Sequence, residues 1–360
     1  MTTAAIAPWI LYGAYGFTGR LMAREAVTRG LSPILAGRDE GKVEELAGEL
    51  GLAARVFGLD DPDELRRGIR GAALVLHAAG PFSRTGQPMA AACLAEGVHY
   101  LDITGEIDVL EGIHELDARA RAAGIHMVPA VGFDVVPTDC AAALAAEALS
   151  GATALDLAFV SSGGPSRGTA RTALERMDQD SAVRRNGKIV SIPLGSVRRT
   201  IPFSDRPREG VAIPWGDVST AWRSTWIPDI RVFAVLPPRV LRIGRVLGLL
   251  LELPLLRGLV RAAVDALVSG PDDEELAQGS ARIWAEARRE GEADDGSTGT
   301  ARAQVELVTP NGYTLTARAS VEAARRILDG QVRTEPGVHT PSRAFGADFV
   351  LGLDGVKRVV

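Results

Sequence analysis

The sequence predicts an α/β protein: a Rossmann-type, doubly wound parallel sheet, then a second α+β domain on an antiparallel or mixed sheet. Three observations predict it. From Trp9 to Asp139, short apolar runs alternate with amphipathic stretches, the pattern of parallel strands joined by helical crossovers. A glycine triplet, Gly13, Gly16 and Gly19, links the first run to the first helix, where a dinucleotide fold needs it. Later runs alternate apolar and polar residues with period two, as half-buried strands do.

The elements follow in order. Trp9–Tyr12 reads as a buried strand and Thr18–Arg29 as a helix. Pro33–Ala36 is a second strand, and Asp39–Leu50 a helix with Asp39 as its cap. Ala54–Phe57 is followed by a short helix, Pro62–Arg70. Leu74–Ala79 is the fourth strand, and Pro88–Glu96 a helix with proline in its first turn. Val98–Asp102 is the fifth strand, Val109–Ala123 one helix, and Ile125–Pro129 the sixth strand. Thr138–Leu149 leaves the first domain as a helix. The second domain holds a strand at Leu155–Ser161, a break at Gly163-Gly164-Pro165, and alternating runs at Ile189–Ile192, Ala281–Glu290 and Thr300–Val308. Asn311-Gly312 then predicts a hairpin turn into a strand at Tyr313–Ala317, and 321–329 is a last helix. The expected division is 1–138, 139–325, and a C-terminal segment 326–360 of which Thr340–Leu353 packs back on the first domain.

With 360 residues, the chain has room for two domains that each bury a core. A net charge of −5 without a basic block argues against nucleic acid as a partner, because neutralising phosphates needs clustered Lys and Arg. The two cysteines, Cys93 and Cys140, form no CxxC pair, which excludes a disulfide framework and fits a reducing cytoplasm. The five histidines are scattered without metal-ligand spacing, so no metal is expected. His77, inside an apolar strand, reads as a buried structural residue. No signal peptide or transmembrane segment is read. The longest apolar stretch, near Leu247–Leu256, is interrupted by Glu252 and Pro254, and a span needs about 20 mostly apolar residues.

The phosphate cradle is Gly13-Ala14-Tyr15-Gly16-Phe17-Thr18-Gly19. One glycine serves the sharp turn, one the approach of backbone to a pyrophosphate, and one the packing of helix on sheet. Free amides at the helix start then meet the anion. The second strand ends in Ala36-Gly37-Arg38, where an NAD site usually places an acidic residue for the ribose. Arg38 offers instead a forked guanidinium to a 2′-phosphate, with Lys42 adding charge. The expected cofactor is therefore NADP(H). Asp39 is placed either to face the ribose or to cap its helix, and Asp60 either to meet adenine or to sit in a loop. Ala79, Gly80 and Pro81, after the fourth strand, approach the nicotinamide end. Tyr100 and Asp102 at the end of the fifth strand, Glu106 after it, and Asp134 and Asp139 after the sixth put polar groups at the same rim, because ligands of open α/β sheets bind beyond the carboxyl ends of strands. Each is a candidate proton donor, and each has a structural alternative.

The motifs GAYGFTG, LAGR, AAGPF, VHYLDITGE and VGFDVVPTD, in this order and spacing, resemble the saccharopine dehydrogenase-like oxidoreductases. That group includes the trans-acting enoyl reductases, which reduce carbon–carbon double bonds of carrier-bound polyketide chains. The resemblance is dense from Trp9 to about Asp139. It continues more loosely through SGPDDEELAQG and GVHTPSRAFG, and it is weak over 160–265. It implies a Rossmann domain, a second α+β domain and NAD(P)H as hydride source. It also implies dinucleotide contacts from Gly13, Gly16, Phe17, Thr18, Gly19 and Arg38, with Gly80 and Pro81 beside the nicotinamide ribose. It does not supply a catalytic acid.

The expected function is NADPH-dependent reduction of an activated C=C or C=N bond in a hydrophobic, lipid-like or carrier-linked small molecule. One rival is an imine or aldehyde reductase of the saccharopine type acting on a small polar substrate. Arginine pairs in the second domain would favour it, and Arg184-Arg185 and Arg198-Arg199 are present. Another rival is a nucleotide-binding scaffold or sensor without turnover. The leucine-rich segment Val240–Val268 reads as helices packed on the sheet or at a homodimer interface. Its alternatives are a wall for a long acyl chain and a membrane-surface contact.

Overall fold

The computed structural model describes residues 7–162, 180–235, 271–292 and 298–360. In chain order the elements are β1 (Trp9–Tyr12), α1 (Phe17–Thr28), β2 (Ile34–Gly37), α2 (Glu40–Leu50), β3 (Ala54–Val56), α3 (Pro62–Ile69), β4 (Leu74–His77), α4 (Phe82–Glu96), β5 (His99–Asp102), α5 (Ile107–His114), α6 (Asp117–Ala123), β6 (His126–Val128) and α7 (Val136–Ala148). There follow β7 (Ala154–Ser161), β8 (Ser181–Arg185), β9 (Lys188–Ile192), β10 (Arg198–Ile201), β11 (Arg208–Ala212), α8 (Asp217–Thr225) and β12 (Asp229–Ala234). The last are α9 (Asp273–Gln278), β13 (Ser280–Glu292), β14 (Thr298–Pro310), α10 (Gly312–Leu328), β15 (Gly337–Val338), α11 (Pro341–Phe345) and β16 (Lys357–Arg358). The Gly163-Gly164-Pro165 break and the Val240–Val268 segment lie outside the described residues. Among the described residues, no helix is long and apolar enough to cross a membrane.

Contacts divide the chain into two units. Met1–Cys140 and Tyr313–Asp354 form one, and Ala141–Gly312 and Gly355–Val360 the other. The boundary expected at 325 falls inside the continuous helix α10.

The first unit is built on a parallel sheet ordered β15-β6-β5-β4-β1-β2-β3 among the described residues. β1 and β4 are buried throughout, as parallel strands covered on both faces must be. β15 joins by pairing Gly337 with His126 and Val338 with Met127. Asp139, at the start of α7, reaches this returning segment. Its Oδ2 accepts the amide of Ser342 in the first turn of α11 at 2.8 Å, so it serves the tail helix.

Three element expectations are corrected here. α4 starts at Phe82, six residues before Pro88, which lies inside it. Arg84 and Pro88 are both exposed, so the carbonyl that Pro88 leaves without its helical donor lies at the surface, where proline costs least. The expected helix Val109–Ala123 is two helices. It breaks at Leu116, whose backbone takes φ −83, ψ 0 while its side chain packs on the core. Tyr313–Ala317 is the start of α10, and no hairpin forms at Asn311-Gly312. Leu315, Ala319, Ala323 and Ile327 are all buried. Their four-residue spacing makes one helical stripe, and burying it outweighs the local turn signal.

The second unit is a mixed sheet ordered β10-β11-β12-β7-β13-β14-β16, with β8 pairing β12 and β9 among the described residues. β12 and β7 are parallel, while β7–β13 and β13–β14 are antiparallel. Leu155, Leu157, Ala285 and Ala287 are buried on one face. On the other face Ala158, Phe233 and Trp284 join Val183, Ile192, Ile201 and Phe203 in a second core.

Candidate functional site

β1 hands the chain to α1 through a turn that only glycine fits. Gly13 has φ +82, and a Cβ there would lie 2.8 Å from the Cβ and backbone nitrogen of Ala79. The amides of Gly13 and Ala14 both donate to the Ala36 carbonyl, at 2.8 and 3.2 Å, tying the turn to β2. A side chain on Gly19 would collide with the Gly13 carbonyl and lie 2.8 Å from that of Ala14, so α1 sits directly on the loop. Gly16 is the N-cap of α1 and supplies no side chain to its first amides, and the first turn holds no acidic residue. The leading amides, at Phe17, Thr18 and Gly19, have no partner within the helix. An uncapped, positively polarised helix start beside a glycine loop fits a pyrophosphate. Phe17 packs edge-on against Tyr313 at 5.1 Å.

The ribose end is formed by Tyr15 and the residues after β2. A Cβ on Gly37 would lie 2.5 Å from the Tyr15 ring, so Gly37 lets that ring lie over the strand end. Arg38 is exposed and makes no hydrogen bond or ion pair among the described residues. Asp39 is occupied: it caps α2 through the Lys42 amide at 3.2 Å and pairs with the Lys42 ammonium at 2.6 Å. Those hydrogen bonds hold its carboxyl below the usual range. Lys42 also lies 5.7 Å from the Tyr15 ring centre. Asp60 is exposed, directly before Asp61, which caps α3.

At the ends of β4, β5 and β6 the sequence candidates join one hydrogen-bonded chain. Thr85 donates to the Ala79 carbonyl at 2.7 Å, fixing the loop that carries Gly80 and Pro81, whose peptide bond is cis. Glu106 accepts the Phe82 amide at 3.0 Å, and its own amide donates to Thr104 Oγ1 at 3.1 Å. Asp102 Oδ1 accepts the amides of Thr104 at 3.0 Å and Ala130 at 2.8 Å. Its Oδ2 accepts the Tyr100 hydroxyl at 2.6 Å. Ala130 sits at φ 61, a strained angle for a residue with a Cβ. Tyr100 and Asp102 are both 0% exposed. Burial raises Asp102 to about 6, against the hydrogen bonds from Tyr100, Ala130 and Thr104 that lower it. Burial, and then the Asp102 charge, raise Tyr100 well above its ordinary value.

Asp134 is half-buried and packs on Gly105, where a Cβ would lie 2.7 Å from its Oδ2. The neighbouring Phe133 amide donates to Thr316 at 2.9 Å, which anchors this loop to α10. His77 is buried between the rings of Tyr12 and Phe82, and burial lowers it to about 3, so it is neutral. Among the described residues no cluster of His, Cys, Asp and Glu has metal-holding geometry. Sequence reasoning did not foresee that Glu106 reaches back to the β4 loop or that Tyr15 covers Gly37. The bare glycine that ends β2 was the available sign of the second.

A family described as the saccharopine dehydrogenase NADP-binding domain matches residues 9–128. A probable mitochondrial saccharopine dehydrogenase-like oxidoreductase of Arabidopsis thaliana is 35% identical over 36% of this chain and 32% of its own. A trans-acting enoyl reductase of Mycobacterium leprae is 36% identical over 36% of this chain and 33% of its own. A saccharopine dehydrogenase-like oxidoreductase of Rattus norvegicus is 25% identical over 60% and 58%. The matches to the first two relatives span about a third of those proteins' length. The solved structure of apo saccharopine dehydrogenase (L-Glu forming) from Saccharomyces cerevisiae superposes with a TM-score of 0.64 at 13% identity. It covers 98% of this chain and 100% of its own, a likeness of fold.

Proposed function

We propose that this chain is an oxidoreductase that uses NADPH to reduce an activated carbon–carbon double bond of a hydrophobic or carrier-linked substrate, a reading supported by the match of residues 9–128 to the saccharopine dehydrogenase NADP-binding domain. The observation that carries the cofactor half is the cradle: an uncapped α1 start, a glycine turn closed against Ala79, and exposed Arg38 at the end of β2. In this reading the backbone of Gly13, Gly16, Phe17, Thr18 and Gly19 holds the pyrophosphate. Arg38 binds the 2′-phosphate, with Tyr15, Gly37 and Asp60 around the adenosine. Ala79, Gly80 and Pro81 border the nicotinamide, which supplies the hydride. Tyr100, Asp102 and Glu106 act as positioning residues, because their polar atoms hold the three strand-end loops in register. Asp134, the half-buried acid among the four, is the one assigned to contact substrate. The enoyl assignment rests on the reductase named among the relatives, and the C=N bond is its rival.

Fluorescence titration with NADPH and NADH tests the cofactor half. NADPH should bind at least about tenfold tighter, a difference of about 1.4 kcal/mol, and Arg38→Ala should erase the preference. A panel of enoyl thioesters, imines and aldehydes then tests the substrate half. NADPH consumption with the thioesters alone supports the reading, and turnover of imines alone replaces it. Tight NADPH binding with no turnover across the panel favours a sensor.

A further inference from the structure

The second unit has a cavity of about 430 Å³ on the sheet face opposite Leu155 and Leu157. It is lined by four arginines, Arg184, Arg185, Arg231 and Arg288, against two carboxylates, Asp156 and Asp229. Strand register explains the gathering. Asp156 on β7 stands opposite Arg231 on β12 and Glu286 on β13, with Arg288 two residues along the same face. Asp156 and Glu286 are 0% exposed, in strands whose other buried residues are mostly apolar.

The two buried acids are hydrogen-bonded to three guanidiniums, and a fourth, that of Arg302, lies 3.9 Å from Glu286. Asp156 accepts a forked pair from Arg231, both bonds at 2.7 Å, one from Arg288 at 2.8 Å, and one from Arg199. Glu286 accepts from Arg199 at 2.5 Å and Arg288 at 3.2 Å. Three guanidinium charges over two carboxylates leave an excess of positive charge at the cavity floor. Asp229, whose Oδ1 accepts the Asn186 amide at 2.8 Å, adds a negative charge that acts on Arg231, but with Arg184 and Arg185 also in the lining the positive excess stands. On the cavity wall, Arg184 is held by the carbonyls of Val218 and Gly187 at 2.8 and 2.6 Å and by the Trp222 ring. Arg185 is exposed and makes no hydrogen bond or ion pair among the described residues. Positive charge fixed at the floor and wall, with the uncommitted guanidinium fork of Arg185 at the rim, suits the planar or tetrahedral oxygens of a carboxylate or phosphate. The volume is that of a small-molecule site.

We propose that this cavity is a binding site for a small molecule carrying an oxyanion, either a phosphate or a carboxylate. The site stands on the second unit alone and does not depend on the reductase reading.

Isothermal titration of the nucleotide-free protein with inorganic phosphate and, separately, with succinate tests it, each at constant ionic strength made up with potassium chloride. The expected result is saturable one-site binding of at least one of them. Arg185→Gln should weaken it at least tenfold, and Arg231→Lys, which keeps the charge but loses the fork, should weaken it too. Melting temperature and NADPH affinity, measured in parallel, show that the variants remain folded. Binding of phosphate alone or of succinate alone identifies the oxyanion, and either supports the proposal. No saturable binding of either ligand above the chloride control overturns it, as does wild-type affinity in Arg185→Gln.

Discussion

Asp102 carries the sharpest prediction. Its carboxyl is fully buried, accepts two amides and a phenol, and has its pKa raised to about 6. The ordinary value is 3.8, so the folded protein prefers the protonated form. The stabilising preference is whole below pH 3.8 and is lost as pH rises through 6. At about 1.4 kcal/mol per pKa unit, ionising this group costs the fold about 3 kcal/mol by neutral pH. Between pH 5 and pH 7.5 the loss is about 1 kcal/mol. Asp102→Asn removes the ionisation while its side-chain oxygen still accepts from Thr104 and Ala130. It also places an amide against the Tyr100 hydroxyl, costing about 1–3 kcal/mol at either pH. The variant should therefore look about 1 kcal/mol less destabilised, relative to wild type, at pH 7.5 than at pH 5. Urea unfolding of both proteins at both pH values measures this. Amide exchange at Thr104 and Ala130 reports on the site itself. An identical wild-type-to-variant difference at the two pH values would refute the reasoning.

Gly19→Ala should abolish NADPH binding or displace α1, since its Cβ has no room beside the carbonyls of Gly13 and Ala14; a titration giving wild-type affinity with an unchanged melting temperature would contradict the cradle. Asp139→Ala leaves the buried Ser342 amide without its acceptor and should cost about 1–3 kcal/mol, measured by chemical denaturation, with exchange rising first in 337–345. Asp134→Asn should lower kcat by about tenfold to a thousandfold, within and just below the range of acid–base contributions, while NADPH affinity stays the same; an unchanged kcat would leave Asp134 a loop residue.

The parallel half of the fold was legible because its central strands β1 and β4 are buried throughout and the first turn needs glycine, two demands that the residue pattern exposes. The glycine turn after β1 was legible for the same reason: backbone geometry restricts which residues stand there. Where the reading slipped, long-range packing overrode a local signal. Asn311-Gly312 is a turn dipeptide, yet the buried stripe from Leu315 to Ile327 takes the following residues into a helix. Pro88 looked like a helix start, but it lies on an exposed side of α4 where the fold tolerates it. Asp102 and Glu106 were visible as polar residues at a strand end. That they hold amides of distant loops was not, because hydrogen bonds such as Asp102 to Ala130 depend on strand order. The charged row of the second unit was written as Asp156 and Glu286 inside apolar strands, but its meaning needed the register that sets them side by side.

The seventh strand of the dinucleotide-binding sheet comes from Gly337–Val338, after the long stretch Ala141–Gly312 of the second unit. During synthesis from the N-terminus, β6 therefore emerges with one edge unpaired, and it stays so while some two hundred further residues are made, a matter of tens of seconds at ordinary ribosomal rates. An open edge of this kind invites pairing with other chains. The nascent protein thus passes through a period in which its cofactor half is exposed to misassembly, and any interruption of translation before residue 337 strands it there.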